Sequence, residues 1–299
     1  MTVDAARAAR PRTVLVGLIG EGVAPSLSPS MHELEGARHG IHYVYRTIDL
    51  EAGEGTEAGI ARLLESARRL GFDGLNITHP VKQTIIPLLD HLAPSARSVG
   101  AVNTVLFGVD GATGHNTDVT GFGAAFDESL GDAPRGRVVL LGAGGAGSAV
   151  ATALAARSIP HLVIVDVDLE RATLLAQQTG AFAATLRDLP DLLAAADGLV
   201  NATPFGMAAH PAAPVDPGLL AAPAWVADIV YRPAETALLA AARASGRRVM
   251  SGLGMAMHQA ADAFEIFTGE PADRRAMLAD LAGMVAAEAT PTDSTPTHH

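Results

Sequence analysis

The chain contains 299 residues, which is more than one hydrophobic core usually supports, so two domains are expected. Its net charge of −11 argues against a nucleic acid or an anionic membrane as a partner. The sequence has no cysteine, which excludes disulfides, thiolate nucleophiles and thiolate metal sites. The apolar run from Thr13 to Ile19 has the length of a strand and is too short to span a membrane. These features predict a cytoplasmic, enzyme-like protein.

The first part of the chain alternates between strand and helix signals. The pattern predicts strands at Val14 to Ile19, Tyr43 to Ile48, Gly74 to Thr78 and Ala101 to Phe107, with a helix at Thr56 to Leu70. Pro80 occupies the first position of a further predicted helix, which places Lys82 in the first turn of that helix. Alternation of this kind is typical of an open α/β domain.

The second part of the chain begins near Arg135 with a different pattern. A compact apolar strand at Arg137 to Leu141 leads into a glycine-rich turn, a helix at Ser148 to Arg157 and a strand at His161 to Val165. After these come predicted strands at Gly198 to Asn201, Trp225 to Val230 and Val249 to Ser251, and a long helix from about Met255 to Phe267. Strand, glycine turn, helix and strand in this order are typical of a Rossmann dinucleotide-binding domain.

The glycine-rich turn matches the dinucleotide fingerprint GxGxxG. Its glycines are Gly142, Gly144 and Gly147, which serve a tight turn, close approach of the backbone to a pyrophosphate, and close packing of helix on strand. Ala143, Gly145 and Ala146 complete the loop that would lie against the phosphates at the helix N-terminus.

Asp166 ends the next strand, 19 positions after the third glycine, where a carboxylate accepts hydrogen bonds from the adenosine ribose. The alternative is that Asp166 belongs to a solvated turn.

Lys82 and Asp118 are the candidates for proton transfer. Lys82 follows Asn76-Ile77-Thr78-His79-Pro80-Val81, and Asp118 follows Asn116-Thr117 in what reads as a polar loop. A lysine and an aspartate near a nicotinamide can move the proton that accompanies hydride transfer to or from an alcohol. The alternative for Lys82 is an exposed charge on a surface helix, which is the role of most lysines.

These motifs together resemble the shikimate dehydrogenase family, including its quinate/shikimate branch. The similarity extends from Val16 to about Gly269 with the motifs in the family's order. They are Ser26-Leu27-Ser28-Pro29 with His32, Asn76 to Lys82, Gly100-Ala101-Val102-Asn103-Thr104, Gly114-His115-Asn116-Thr117-Asp118, the glycine loop, Asn201-Ala202-Thr203-Pro204, Asp228-Ile229-Val230-Tyr231, and Gly252-Leu253-Gly254-Met255 before Gln259.

The resemblance implies roles for the matching residues. Lys82 and Asp118 are the catalytic pair beside the reacting hydroxyl. The other implied contacts are Ser26 and Ser28 to the substrate carboxylate, Thr78, Asn103 and Gln259 to ring hydroxyls, Tyr231 near the substrate, Thr203 to the cofactor, and Gly252 where the nicotinamide approaches the backbone. From the residues alone, structural roles are favoured for all five: the serines as turn residues, Thr78 and Asn103 as strand-end caps, and Gln259 as a polar residue on a helix surface.

Two departures from the family pattern bear on cofactor and substrate. Asp166-Val167-Asp168 replaces the Asn-Arg-Thr-like run of NADP-using members, so NAD is expected as the cofactor and NADP is less favoured. Arg171 is placed to stack on the adenine or to reach a phosphate. His32-Glu33 resembles the NAD-dependent quinate/shikimate members, whereas Ser28 is the shikimate-type serine where quinate-active relatives often carry threonine. The expected reaction is therefore reversible oxidation of shikimate to 3-dehydroshikimate, and of quinate to 3-dehydroquinate.

The expected fold is α/β with two domains. An N-terminal substrate domain spans residues 1–119, a doubly wound Rossmann NAD-binding domain spans 120–254, helices at 255–289 return to the substrate domain, and 290–299 form a disordered tail. The histidines form no metal-binding pattern, so no metal is expected. The partner is a small ring acid, with no nucleic acid or membrane, and the protein is a monomer or a homodimer. The alternatives are a dehydrogenase of an amino analogue of shikimate and a non-catalytic sensor with the same fold.

Overall fold

The computed structural model describes residues 12–289, so the tail predicted at 290–299 lies outside the described residues. Two six-stranded sheets organise this part of the chain, and helices cover them. Within residues 12–289, no helix has both the length and the apolar surface needed to cross a bilayer.

The first sheet is mixed and belongs to the N-terminal part of the chain. Its strands are β1 (Thr13–Gly20), β2 (His42–Asp49), β3 (Gly74–Ile77), β4 (His91–Leu92), β5 (Thr104–Gly108) and β6 (Gly111–His115). They are ordered β2-β1-β3-β5-β6-β4, with β1 parallel to both β2 and β3, and β5 antiparallel to β3 and β6. The carboxyl ends of β1 and β3 are therefore neighbours at one edge of the sheet.

Helices bury both faces of this sheet. They are α1 (Ser28–Arg38), α2 (Glu57–Arg69) and α3 (Pro94–Val99), with a 3-10 turn at Ile86–Leu88. The Thr56 hydroxyl caps α2 by accepting a hydrogen bond from the Gly59 N–H. Ile60 and Leu64 of α2 pack on one face of the sheet.

The second sheet is entirely parallel. Its strands are β7 (Arg137–Leu141), β8 (His161–Val165), β9 (Phe182–Ala184), β10 (Gly198–Asn201), β11 (Trp225–Asp228) and β12 (Val249–Met250), ordered β12-β11-β10-β7-β8-β9. The helix α4 (Thr117–Leu130) precedes this sheet in the chain. The helices of the second sheet are α5 (Gly145–Ala155), α6 (Leu169–Thr179), α7 (Leu189–Ala194) and α8 (Ala237–Ala244), with a 3-10 turn at Pro217–Leu219. This strand order is that of a doubly wound Rossmann domain, which confirms the predicted fold class.

Two antiparallel helices connect the sheets. Helix α4 begins beside the first sheet and ends against the second, where Phe126 makes an edge-on contact with Trp225. Helix α9 (Gly252–Thr268) runs the opposite way and ends among the aromatic residues of the first sheet's core. The two helices can pack closely because residue 121 is a glycine. A Cβ at this position would lie only 2.7 Å from the backbone nitrogen of Gln259. A last helix, α10 (Arg274–Ala289), packs on α9 and α1.

Two local predictions in the first domain are wrong. No helix begins at Pro80, and Lys82 lies instead in a series of turns. The Lys82 carbonyl accepts a hydrogen bond from the Val102 N–H at 2.8 Å, so this carbonyl is not available to a helix. Asp118 does not lie in a polar loop either, because Asn116 caps α4 by accepting from the N–H groups of Asp118 and Val119. The aspartate, and not the lysine, occupies the first turn of a helix.

Element boundaries shift more modestly elsewhere. The strand predicted from Ala101 begins at Thr104, because the Asn103 N–H pairs with the His115 carbonyl in an irregular stretch before it. Helices predicted to begin at Ser148 and Met255 begin earlier, at Gly145 and Gly252, since these glycine-rich starts are already helical. Boundaries are the least reliable part of pattern-based prediction because propensity is weakest at helix ends.

Candidate active site

Lys82 and Asp118 form a close ion pair, with 2.6 Å between Lys82 Nζ and Asp118 Oδ2. The side chains are 19% and 13% exposed, so the pair is partly shielded and still reachable from solvent. Asp118 lies in the first turn of α4, where the positive end of the helix dipole stabilises a carboxylate by about 0.3–1 kcal/mol. An ammonium group carries three hydrogens, so Lys82 can hold Asp118 and a substrate hydroxyl at once.

Ser26 and Ser28 lie at the N-terminal end of α1. The Ser28 N–H donates to Ser26 Oγ at 3.2 Å, so Ser26 is held in the loop just before α1 while it keeps its own hydroxyl hydrogen. A helix N-terminus with two hydroxyl groups is suited to bind a carboxylate, because unpaired N–H groups and the helix dipole both favour an anion there. The structure therefore brings the two serines together.

The three residues predicted to hold ring hydroxyls lie around the ion pair. Thr78 follows β3 directly, and its N–H donates to the Ile19 carbonyl at 2.9 Å. Gln259 lies on α9 against Gly121, one turn after Asp118. Asn103 is 4% exposed, and its Nδ2 donates to Thr117 Oγ1 at 2.9 Å while its Oδ1 accepts from the Thr117 N–H at 2.8 Å. One Nδ2 hydrogen of Asn103 remains for a substrate.

Tyr231 follows β11 and packs in the same apolar cluster as Leu27, which lies between the two serines. Burial raises the pKa of the Tyr231 hydroxyl, which stays protonated at neutral pH. The next residue, Arg232, binds Glu288 of α10 with two hydrogen bonds of 2.9 and 2.7 Å and donates to the Pro25 carbonyl at 2.8 Å. Arg232 thus joins the segment after β11 to the serine loop and to the last helix.

The glycine loop has the geometry of a dinucleotide cradle. Gly142 has a φ of +97°, which L side chains rarely adopt, and a Cβ on Gly147 would lie 2.1 Å from the Gly142 carbonyl oxygen. Gly144 and Gly145 are exposed at the start of α5, with no atom near the position of a Cβ. The first and third glycines therefore shape the turn, and the middle of the loop, with Ala146 beside it, leaves room for a ligand.

Asp166 is held against this loop at the end of β8. Its Oδ2 accepts from the Ala143 N–H at 2.6 Å and its Oδ1 from the Asp168 N–H at 2.9 Å. The Ala143 N–H is thereby occupied by the protein itself, so a phosphate would not receive it. Arg171 is exposed and lies 3.8 Å from the Asp168 carboxylate, on the same side of α6.

Thr203 lies beside the glycine loop, whereas Gly252 lies against the backbone that follows β11. Thr203 Cγ2 lies close to Gly142, so the threonine stands directly beside the first glycine of the loop. A Cβ on Gly252 would lie 2.3 Å from the Ile229 carbonyl oxygen and 2.6 Å from that of Val230. This chain's own backbone therefore already requires glycine at 252, and the approach of the nicotinamide implied by the family resemblance stays a prediction.

A buried carboxylate organises the loops after β10 and β11. Asp228 is fully buried and accepts hydrogen bonds from Asn201 Nδ2 at 2.9 Å, the Val230 N–H at 3.0 Å and Thr236 Oγ1 at 2.7 Å. Burial raises the pKa of the Asp228 carboxyl above its ordinary value, against the opposing effect of these donors. Asn201 Oδ1 in turn accepts from the Thr203 hydroxyl at 2.6 Å.

Three family models match this chain in succession. The shikimate dehydrogenase substrate binding domain matches residues 18–105, shikimate/quinate 5-dehydrogenase matches 126–210, and the shikimate 5′-dehydrogenase C-terminal domain matches 252–281. A shikimate dehydrogenase (NADP(+)) from Arthrobacter sp. strain FB24 is 53% identical over 93% of this chain and 98% of its own length. The chain belongs to the shikimate dehydrogenase family.

Other members of the family carry a different cofactor in their names. A quinate/shikimate dehydrogenase (NAD(+)) from Corynebacterium efficiens is 46% identical over 89% of this chain and 97% of its own length. The structure of quinate dehydrogenase from Corynebacterium glutamicum in complex with NAD has a TM-score of 0.86 and 45% identity, covering 91% of this chain and 99% of that one. This shikimate dehydrogenase family member is thus an oxidoreductase of the nicotinamide-dinucleotide type, and the choice of dinucleotide depends on its own residues.

Sequence reasoning missed the buried polar residues that hold the site together. Asn76, Asn201 and Asp228 stood in the motifs without a role, and Tyr45 was not singled out within the predicted strand Tyr43 to Ile48. The available signal was a polar side chain within an otherwise apolar strand, as in Gly74–Ile77, because a buried polar group needs a partner. What the sequence could not supply was the identity of that partner.

Proposed function

We propose that this chain catalyses the reversible NAD-linked oxidation of shikimate to 3-dehydroshikimate, with quinate as a second substrate. The observation that carries the proposal is the 2.6 Å pair of Lys82 Nζ and Asp118 Oδ2. Relatives named shikimate dehydrogenase and quinate/shikimate dehydrogenase support a ring acid as substrate. Cytoplasmic location, the domain boundaries at 119 and 254, and the monomeric or homodimeric state remain predictions.

The pair handles the proton of the reacting alcohol. The dinucleotide supplies the hydride acceptor when it is bound, and the open middle of the glycine loop fits its pyrophosphate. In the oxidation the base is the amine form of Lys82, and Nζ accepts the hydroxyl proton as the carbon–oxygen bond becomes a carbonyl. In the reverse direction the Lys82 ammonium group returns this proton to the substrate oxygen. The Asp118 carboxylate holds Nζ in place and stabilises the ammonium form by its charge.

The remaining site residues bind and orient the ring. Ser26 and Ser28 donate hydroxyl hydrogens to the carboxylate at the positive end of α1. Thr78, Asn103 and Gln259 take ring hydroxyls, and Tyr231 closes the apolar side beside Leu27. Thr203 and the loop from Gly142 to Ala146 take the dinucleotide.

The choice of NAD rests on two carboxylates beside the loop. Asp166 has lone pairs left for the ribose hydroxyls after accepting from Ala143 and Asp168. A 2′-phosphate there would meet this negative charge, at a cost on the order of 4 kcal/mol for unit charges ~4 Å apart at an effective dielectric near 20, before screening. Arg171 is the nearby cation, and Asp168 already attracts it.

Substrate choice depends on Ser28. Replacement of Ser28 by threonine adds a methyl group beside the carboxylate, where the planar ring of shikimate and the puckered ring of quinate differ. We therefore expect the wild type to prefer shikimate and S28T to move the ratio of kcat/KM toward quinate. A wild-type kcat/KM that is higher for quinate would contradict this assignment of Ser28.

The deciding experiment is a set of four steady-state measurements, with shikimate and quinate each supplied with NAD and NADP. Turnover of shikimate with NAD supports the proposal. Absence of turnover with all four combinations, together with binding of either ring acid by calorimetry, would favour the sensor alternative. Turnover of an amino analogue of shikimate, with no turnover of shikimate or quinate, would favour a dehydrogenase specific for that analogue.

A further inference from the structure

The hydroxyl of Tyr45 connects two strands of the first sheet that are not adjacent. Tyr45 lies on the edge strand β2, is 4% exposed, and donates to Asn76 Oδ1 on β3 at 2.8 Å. Strand β1 lies between β2 and β3, so the phenol side chain crosses it. Such a bond between buried groups is a defined connection, because neither partner can exchange it for water.

From Asn76 the connection continues to the catalytic side of the site. Asn76 Nδ2 donates to Thr104 Oγ1 at 3.0 Å, and Thr104 Oγ1 donates to Asn103 Oδ1 at 3.0 Å. Asn103 then binds Thr117, the residue before Asp118. All donors from Tyr45 to Asn103 point in one direction, so each bond strengthens the next by polarisation.

The Tyr45 ring also packs against helix α1. Its centroid lies 5.0 Å from that of His32, and the Tyr45 N–H donates to Glu33 Oε1 at 3.0 Å. Burial raises the pKa of the phenol, so its hydroxyl keeps the hydrogen that it donates to Asn76. Tyr45 is thus held by α1 on one side and, through Asn76 and Thr104, supports Asn103 on the other.

We propose that Tyr45 is a positioning residue that fixes, through Asn76 and Thr104, the orientation of Asn103, which is predicted to bind a ring hydroxyl. The inference rests on the proposed function and extends it to a residue that does not touch the substrate. Because Tyr45 orders groups that bind the substrate in both the ground state and the transition state, its loss weakens binding more than it slows chemistry.

Tyr43 provides a matched control on the same strand. It lies two residues earlier, faces the same side of the sheet and is 6% exposed. Its hydroxyl bonds to His32 Nδ1 at 3.1 Å and does not take part in the network of Tyr45. Removal of either hydroxyl leaves one buried polar partner unsatisfied, so the two variants have similar structural consequences and different catalytic ones.

The experiment compares Y45F and Y43F with wild type in steady-state oxidation of shikimate. We expect Y45F to raise the KM for shikimate about tenfold with kcat within about threefold, and Y43F to leave both parameters near wild type. Thermal unfolding of both variants tests whether the fold is retained. A KM unchanged in Y45F, or raised equally in Y43F, would overturn the inference while leaving the proposed function intact.

A double-mutant cycle with Thr104 tests the connection itself. In the T104V background, Y45F should raise KM by less than half of its single effect on a logarithmic scale, because part of its action passes through Thr104 Oγ1. Full additivity would overturn the inferred route. A wild-type protein inactive on both ring acids would overturn the proposed function first, and the inference with it.

Discussion

The two sides of the site bury their polar groups in different ways. On the substrate side, Tyr45, Asn76, Thr104 and Asn103 form a neutral network of alternating donors and acceptors. On the cofactor side, the carboxylate of Asp228 accepts from three donors at once. The two sides differ because their hydrogen-bonding partners come from different parts of the fold.

Neighbouring strands supply the substrate-side partners at regular spacing, so amides and hydroxyls can pass hydrogens from one to the next. The cofactor-side partners are Asn201, the Val230 N–H and Thr236, which come from separate segments and all act as donors. Only an ionised carboxylate offers acceptors without any donor of its own. A buried charge is therefore used where separate loops must converge, and a neutral network where a sheet already sets the geometry.

The largest expected effect concerns the buried histidine of the substrate side. Burial lowers the pKa of His32 from 6.5 to about 3, so the unfolded chain binds a proton in this range and the folded chain does not. Stability is therefore present above pH 6.5 and is lost as pH falls toward 3, by about 4 kcal/mol at 1.36 kcal/mol per pKa unit.

We expect H32N to flatten the dependence of the unfolding free energy on pH across this window, as measured by denaturant titrations at several pH values. The exposed His42 on β2 gives the control H42N, which should keep the wild-type slope. The same slope in H32N as in wild type would show that another group titrates in place of His32.

The next effect concerns the Lys82–Asp118 ion pair on the substrate side of the site. K82A should lower kcat by at least ~100-fold, the usual range for loss of a general acid–base group, with a smaller change in KM. D118N should also be severe, and the double variant should be far less impaired than the product of the two, because the residues act as a unit. An unchanged kcat in K82A would remove the lysine from the chemistry.

The next prediction concerns the cofactor side of the site and the ratio of kcat/KM with NAD to that with NADP. Wild type should prefer NAD over NADP by at least ~10-fold in kcat/KM, since one tenfold step is 1.36 kcal/mol and the repulsion is larger before screening. D166N should narrow the gap chiefly by improving NADP. The control is D168N, which leaves the ribose-facing carboxylate and should narrow the gap less. Equal turnover with both dinucleotides in wild type would refute the role of Asp166.

The smallest effect concerns Asp228 and has the opposite sign to that of His32. Because the folded state raises the pKa of this carboxyl, the folded chain holds its proton longer than the unfolded chain. Its contribution to stability is present below the ordinary carboxyl pKa and is lost as pH rises through the raised value. D228N should therefore gain stability relative to wild type as pH rises above 3.8, the ordinary pKa of the carboxyl group, as measured by denaturant titration. A constant difference would contradict the raised pKa.

The sequence predicted the second domain more closely than the first. Strands β7, β8 and β10 have the bounds that the sequence predicted, because parallel strands buried on both faces contain short continuous hydrophobic segments. Around Lys82 the prediction of a helix was wrong, since a bond from Val102, distant in sequence, takes the carbonyl that a helix would need.

The candidate site shows the same limit. Motif spacing singled out Lys82, Asp118 and the glycine loop, and the geometry brings the first two together. The bond from Tyr45 to Asn76 joins residues 31 positions apart and depends on the sheet order β2-β1-β3, which local patterns do not encode. Motif analysis can therefore find the residues at the chemistry and miss those that hold them.

The antiparallel pair α4 and α9 also limits how the molecule can move. Two rigid rods in close contact at Gly121 permit rotation about their crossing and resist sliding or separation. Asp118 lies one turn from that crossing, so it and its partner Lys82 stand near the pivot, where a rotation produces little displacement. The glycine loop belongs to the other sheet, at the start of α5. A rotation of one sheet against the other about this crossing would thus leave the Lys82–Asp118 pair assembled.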